Sequence, residues 1–171
     1  MTIIYENDWL LYPEAIIDTQ TKNQSFVRLA ALYRHMGIKN HSFMLSLLNP
    51  RLQGIDPYSP HLTLEQKLDI AIECKENFWY FIRECIRTPD GTEDNPISFK
   101  ANRGNIALFW LFLNHTTLIL IQPRQTGKSI NTNALMTYLL NIRCTKTHIN
   151  QINKDESLRS INLERLKTHL C

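Results

Sequence analysis

The chain has 171 residues, 43% of them hydrophobic and 20% charged, with a formal net charge of +3. That length supports a domain with its own core and excludes two large ones, and the composition excludes an intrinsically disordered chain. The weakly basic balance, with no dense Lys/Arg run, is compatible with nucleic acid as a partner but does not argue for it.

Residues 1–24 carry mixed patterning and give no clear element. From residue 25 to 36 (SFVRLAALYRHM) Phe26, Leu29, Leu32 and Tyr33 share one helical face, and Gly37 is placed to close the helix. Residues 41–48 read as a short apolar helix stopped by Asn49-Pro50. Residues 51–60 (RLQGIDPYSP) read as a loop. Thr63-Leu64-Glu65-Gln66 is a capping-box pattern opening a long helix to about Arg87, with Leu64, Leu68, Ala71 and Ile72 on its apolar face. Residues 77–81 (NFWYF) mark a bend or the start of a second helix. Four consecutive large side chains there point to a core anchor ahead of a base-stacking platform. Residues 88–95 read as an exposed turn and 96–100 as a short strand. Asn102 can cap a helix over 103–113.

No secretory signal is visible, because the first eleven residues include Glu6 and Asp8 and lack a charged leader. The most apolar run, 106–121, is too short to span a bilayer and is interrupted by Asn114 and His115. A soluble chain is the expectation. The four cysteines, Cys74, Cys85, Cys144 and Cys171, have no metal-ligand spacing with one another or with the scattered histidines. In one continuous helix Cys74 and Cys85 would stand roughly 16 Å apart, too far to bridge. Reduced thiols are therefore expected.

The stretch with the most chemistry is 117–129, TLILIQPRQTGKS. An apolar, β-prone run ends in Pro-Arg-Gln-Thr-Gly-Lys-Ser, and residues 130–141 fit a helix. Strand, tight turn, then Gly-Lys-Ser opening a helix is the layout of a phosphate-binding P-loop. The free N–H groups of the turn and of the first helical turn converge on phosphate oxygens. Gly127 allows torsions that a Cβ forbids. Lys128 supplies a cation for the β- and γ-phosphates of ATP, and Ser129 a hydroxyl for Mg²⁺. The first glycine of the usual pattern is absent, with Gln122 in its place. The competing reading is an ordinary strand–helix turn with a solvated lysine. Downstream, 147–152 (THINQI) alternates like a second strand, and 156–170 reads as a helix with Leu158, Ile161, Leu163, Leu166 and Leu170 apolar. Strand–helix–strand at this spacing predicts a right-handed parallel βαβ unit. The expected fold class is α/β, with a helical region over 1–60 followed by the start of a P-loop ATPase domain with a partial parallel sheet over 61–171.

The loop Arg124-Gln125-Thr126-Gly127-Lys128-Ser129 resembles the deviant Walker A of tailed-bacteriophage terminase large subunits. Residues 47–58 (LLNPRLQGIDPY), 73–85 (ECKENFWYFIREC), 96–103 (PISFKANR) and 153–167 (NKDESLRSINLERLK) are similar in order and spacing to the N-terminal part of those proteins. The resemblance covers most of the chain from about residue 28. It implies an ASCE-type ATPase domain followed by a nuclease domain, in a motor that drives double-stranded viral DNA into proheads. It implies ATP and Mg²⁺ as cofactors, and Arg124 as a loop arginine that stabilises the γ-phosphate in cis. A surface arginine snorkelling over the loop is the plain alternative for Arg124. It further implies portal protein and small terminase subunit as partners, a homo-oligomer on the prohead, and the host cytoplasm as the setting. Residues 96–105 sit where the family contacts adenine. The glutamine of many relatives is absent there, leaving Asn102, Arg103 and Asn105. Lys154-Asp155 sits where the family has a Thr-Lys-Asp turn, with Asn153 in place of Thr; a helix cap at Asp155 explains it equally well.

Hydrolysis in this class requires a second apolar strand ending in Asp-Glu, and none follows Ser129. No nuclease carboxylate cluster follows either. The expectation is the N-terminal piece of a longer protein, binding ATP without hydrolysing it by itself. A helicase-like DNA translocase and a non-catalytic assembly module that docks the portal or the small subunit are the alternatives.

Overall fold

A computed structural model describes residues 2–88, 96–115, 117–121, 127–144, 146–150, 152 and 156–168. In chain order they form a 3-10 turn at Glu6–Leu11, strand β1 (Ile16–Ile17), helix α1 (Gln24–His35) and strand β2 (Ser46–Leu47). Helices α2 (Leu64–Glu76) and α3 (Phe78–Tyr80) follow, α3 running on into a π-turn, Phe81–Cys85. Strands β3 (Arg87–Thr88) and β4 (Ile97–Ser98) precede α4 (Arg103–Leu113), α5 (Lys128–Thr137) with its own π-turn Tyr138–Arg143, and α6 (Glu156–Thr168). Two short antiparallel ribbons result: Ile16 stands opposite Leu47 and Ile17 opposite Ser46, while Arg87 faces Ser98 and Thr88 faces Ile97. The molecule is thus a mixed α and β fold dominated by helix.

Local chemistry explains the helix ends. α1 closes as its residues demand: Gly37 adopts φ 78, its N–H reaches the Arg34 carbonyl, and the Ile38 N–H reaches that of Tyr33. This is the Schellman arrangement, which satisfies two otherwise orphaned carbonyls. At α2 both halves of the capping box form, Gln66 N–H donating to Thr63 Oγ1 (3.2 Å) and Thr63 N–H to Gln66 Oε1 (2.9 Å). Asn102 and Asn105 do the same for α4, at 3.0 and 2.8 Å. The Asn102 cap stands as the sequence predicts, and the strand expected over 96–100 is present at Ile97–Ser98.

Phe78, Trp79, Tyr80 and Phe81 are all buried, so they anchor the core and are not a stacking platform. Phe78 lies at the centre, edge-on to Trp79 (5.6 Å), Phe109 (5.2 Å) and Tyr138 (4.9 Å), and so joins α3, α4 and the α5 π-turn. Burying aromatic side chains of this size contributes roughly 1.5–3 kcal/mol each, before their ring geometry is counted. Core residues come from Ile3, Phe26, Met44 and Leu47 as well as from Phe99, Ile106 and Leu135.

Beneath the aromatics lies a polar frame that hydropathy does not reveal. The Arg83 guanidinium is fully buried. Its Nε donates to Glu84 Oε1 (2.7 Å), Nη1 to the Met44 carbonyl (2.7 Å) and Nη2 to Asp18 Oδ2 (3.4 Å). Glu73, also buried, accepts from the N–H groups of Leu48 (2.8 Å) and Asn49 (2.9 Å) and from Asn77 Nδ2 (2.7 Å). Buried charges persist only when partnered in this way.

That frame accounts for three departures from the sequence reading. Residues 41–48 are not a helix: a 3-10 turn at Phe43–Leu45 leads into β2. The Ser46 carbonyl and the Leu48 and Asn49 N–H groups are taken by Asn77, Arg83 and Glu73, partners that a helix would deny them. The predicted apolar face of α2 points outward, with Leu64 75%, Leu68 56% and Ile72 62% exposed, because Glu73 and Cys74 hold the opposite flank inward. Finally, the long helix breaks at Asn77, whose extended backbone ends α2 while its side chain accepts from the Trp79 and Tyr80 N–H groups. The chain turns back there, and Cys74 and Cys85 meet with their sulfurs 3.4 Å apart.

The βαβ unit differs most. Residues 117–121 and 147–150 carry no assigned strand and no ladder partner among the described residues, and both ribbons of the fold are antiparallel. Ile119 and Ile121 are each 90% exposed. A parallel strand exists only through hydrogen bonds to a neighbour, and the antiparallel ribbons are formed by other segments. Among the described residues no helix is long and apolar enough to cross a membrane.

Candidate functional site

Gly127, Lys128 and Ser129 form the junction that the sequence singles out. Gly127 has φ 77 and ψ 14, the left-handed conformation, and is the N-cap of α5. A side chain there would be strained by that torsion, although a Cβ would meet nothing within 4 Å. The first intrahelical bond runs from the Asn131 N–H to the Gly127 carbonyl (3.0 Å). Gly127 itself offers no capping side chain, in contrast to the N-cap residues of α2 and α4. A helix start led by a left-handed glycine presents the N–H groups of its first turn together, with the positive end of the helix dipole.

Lys128 is half-buried at the first helical position and Ser129 exposed at the second. The residues present therefore fit the phosphate end of a nucleotide: open space beside Gly127, a cation, and a hydroxyl of the type that ligates Mg²⁺. Arg124, Gln125 and Thr126 lie outside the described residues, as do Asn153, Lys154 and Asp155. Among the described residues there is no cluster of three or more His, Cys, Asp or Glu side chains able to hold a metal.

Arg103 opens α4 and lines a shallow, mostly apolar groove with Tyr33, Met36, Ile38, Gly104 and Ala107. Burial raises the Tyr33 hydroxyl above its ordinary pKa, and the Arg103 charge opposes that shift. Gly127, Lys128 and Ser129 are not among the residues lining this groove, so Arg103 and the glycine turn are not brought together there. Asn102 and Asn105 are spent on the α4 cap, and Asn105 Nδ2 also donates to the Lys100 carbonyl (2.9 Å).

Sequence reasoning missed the polar inner face of α5. Asn131, Asn133 and Thr137 are buried, and Asn133 Nδ2 and Thr137 Oγ1 have no hydrogen-bond partner. The spacing of Asn133 and Thr137, four residues apart, was the available signal, since such a pair shares one helix face. Also missed was a polar cavity of about 100 Å³ lined by Asp18, Thr21, Lys22, Tyr80, Glu84 and Arg87 among others. The buried Tyr80 hydroxyl has no hydrogen-bond partner, and burial pushes its pKa far up.

No known protein family, curated protein or solved structure matches the chain.

Proposed function

We propose that this chain is the N-terminal part of a tailed-phage terminase large subunit, a segment that binds ATP in a motor translocating viral DNA into the prohead. The observation that carries this reading is the left-handed Gly127 set directly before the helix that Lys128 and Ser129 open. In this reading the first-turn N–H groups of α5 and the Lys128 ammonium hold the β- and γ-phosphates. The Ser129 hydroxyl takes Mg²⁺, which when bound neutralises charge developing on the phosphates. Arg124 acts on the γ-phosphate from the same chain, Gln125 and Thr126 complete the loop, and Arg103 belongs to the adenine side. Residues 117–121 and 147–152 pair as parallel strands in the assembled motor domain. Portal protein and small terminase subunit are its protein partners.

Titration with a fluorescent ATP analogue in Mg²⁺ buffer tests the loop. Gly127→Ala and Lys128→Ala should each weaken binding at least about tenfold, equivalent to about 1.4 kcal/mol, with an unchanged far-UV spectrum. Wild-type affinity in both variants would remove the nucleotide site.

The exposed face of α2 favours a second reading, the non-catalytic assembly module. Leu64, Leu68 and Ile72 form an apolar stripe of the kind that a docking partner covers. Negligible nucleotide binding by wild type and Lys128→Ala alike would favour it.

A further inference from the structure

Cys74 and Cys85 take no part in the nucleotide reading, yet the fold brings their thiols together. Asn77 reverses the chain between them, and the π-turn Phe81–Cys85 carries Cys85 back beside the last turn of α2. Their sulfurs lie 3.4 Å apart and share a hydrogen bond. A covalent S–S bond is about 2 Å, so bonding needs a shift of side-chain scale and no refolding.

The two thiols are not equivalent. Cys74 is buried, whereas Cys85 is half-buried. The hydrogen bond to Cys85, followed by burial, holds the Cys74 thiol protonated well above the usual range. At the Cys85 end, the Tyr58 hydroxyl donates to the Cys85 carbonyl, and the Arg87 guanidinium lies 4.6 Å over the Tyr58 ring. Tyr58 is half exposed, so it flanks the path to the pair without sealing it.

We propose that Cys74 and Cys85 are a redox pair, closed to an intrachain disulfide by exchange with a low-molecular-weight disulfide of the glutathione type. The Cys85 thiolate attacks one sulfur of glutathione disulfide, whose S–S bond breaks and releases one glutathione thiolate. Cys74 then gives up its proton and attacks Cys85 Sγ, forming the protein disulfide and expelling the second glutathione. Two protein thiols are oxidised, one small disulfide is reduced to two thiols, and both cysteine protons end on glutathione. Because Cys74 is the buried partner, the mixed disulfide on Cys85 is the intermediate that accumulates. The bond ties α2 to the end of the aromatic segment and encloses Phe78–Phe81 in a short loop, which restricts the unfolded chain more than the folded one.

The test is incubation of the folded protein in reduced and oxidised glutathione, an acid quench, and peptide mapping without reduction. The expected product joins the peptides carrying Cys74 and Cys85, preceded by glutathione on Cys85. Its melting midpoint should rise by several degrees and fall back on treatment with dithiothreitol. Cys85→Ala should fold, form no internal link and show no such rise; Cys144→Ser should behave as wild type. The proposal is overturned if Cys74 and Cys85 stay reduced while Cys144 takes up glutathione. It is equally overturned if the link forms only in urea, or if the linked protein melts no higher than the reduced one.

Discussion

The two ends of the molecule solve the burial problem differently. Around α2 and α3 the chain is closed by tertiary partners: Phe78–Phe81 are buried, Arg83 is held by Met44 and Asp18, and Glu73 by the N–H groups of Leu48 and Asn49. The part around the glycine turn is divided: α5 and its π-turn send Ala134, Leu135 and Tyr138 into the core, while Ile119, Ile121 and Ile152 are at least 90% exposed and Ile161 and Leu163 half exposed. In the first part, tertiary hydrogen bonds override local preference. In the second, residues 117–121 and 147–150 have no ladder partner among the described residues. The difference teaches that apolar alternation reports only a tendency to be covered, and not what does the covering.

The strongest test of that contrast is Arg83→Met. It leaves Asp18 and Glu84 without their buried cation, so stability should fall by about 3–5 kcal/mol in urea unfolding. A loss below about 1 kcal/mol would mean the polar frame does not hold the first part together.

Alkaline pH strains the shared aromatic core next. Burial raises the Tyr138 pKa from 10.0 to about 12 and that of Tyr80 further still. Groups held neutral in the fold contribute stability that is complete below their unfolded pKa. The contribution is lost as pH rises through the folded value. Thermal midpoints should therefore drop between about pH 10 and 12 by more than the exposed tyrosines explain, with the tyrosinate absorbance of Tyr80 and Tyr138 appearing only on unfolding. Simple titration of all six tyrosines without unfolding would contradict the buried hydroxyls.

A smaller effect belongs to Thr63→Ala, which removes one half of the α2 capping box and should lower stability by about 1 kcal/mol in the same urea assay. Smallest of all is the double change Ile119→Ser with Ile121→Ser. Both side chains are exposed, so stability should stay within about 0.5 kcal/mol of wild type. A loss above about 2 kcal/mol would show these residues packed in a sheet, and would dissolve the contrast between the two parts.

The candidate site was the more legible feature. Gly127 before Lys128 and Ser129 announces a left-handed turn at a helix start, because that torsion is a property of the local backbone. The cap residues Thr63 and Asn102, the terminating Gly37 and the aromatic anchor at 78–81 were equally readable, each acting within a few residues of itself or through sheer size. What the sequence could not announce was the inward turn of Glu73 and Arg83, or the meeting of Cys74 with Cys85. Nor could it reveal the outward face of Leu64, Leu68 and Ile72. Those outcomes depend on which distant N–H or carbonyl lies opposite a side chain, a relation that exists only after the chain has folded back on itself.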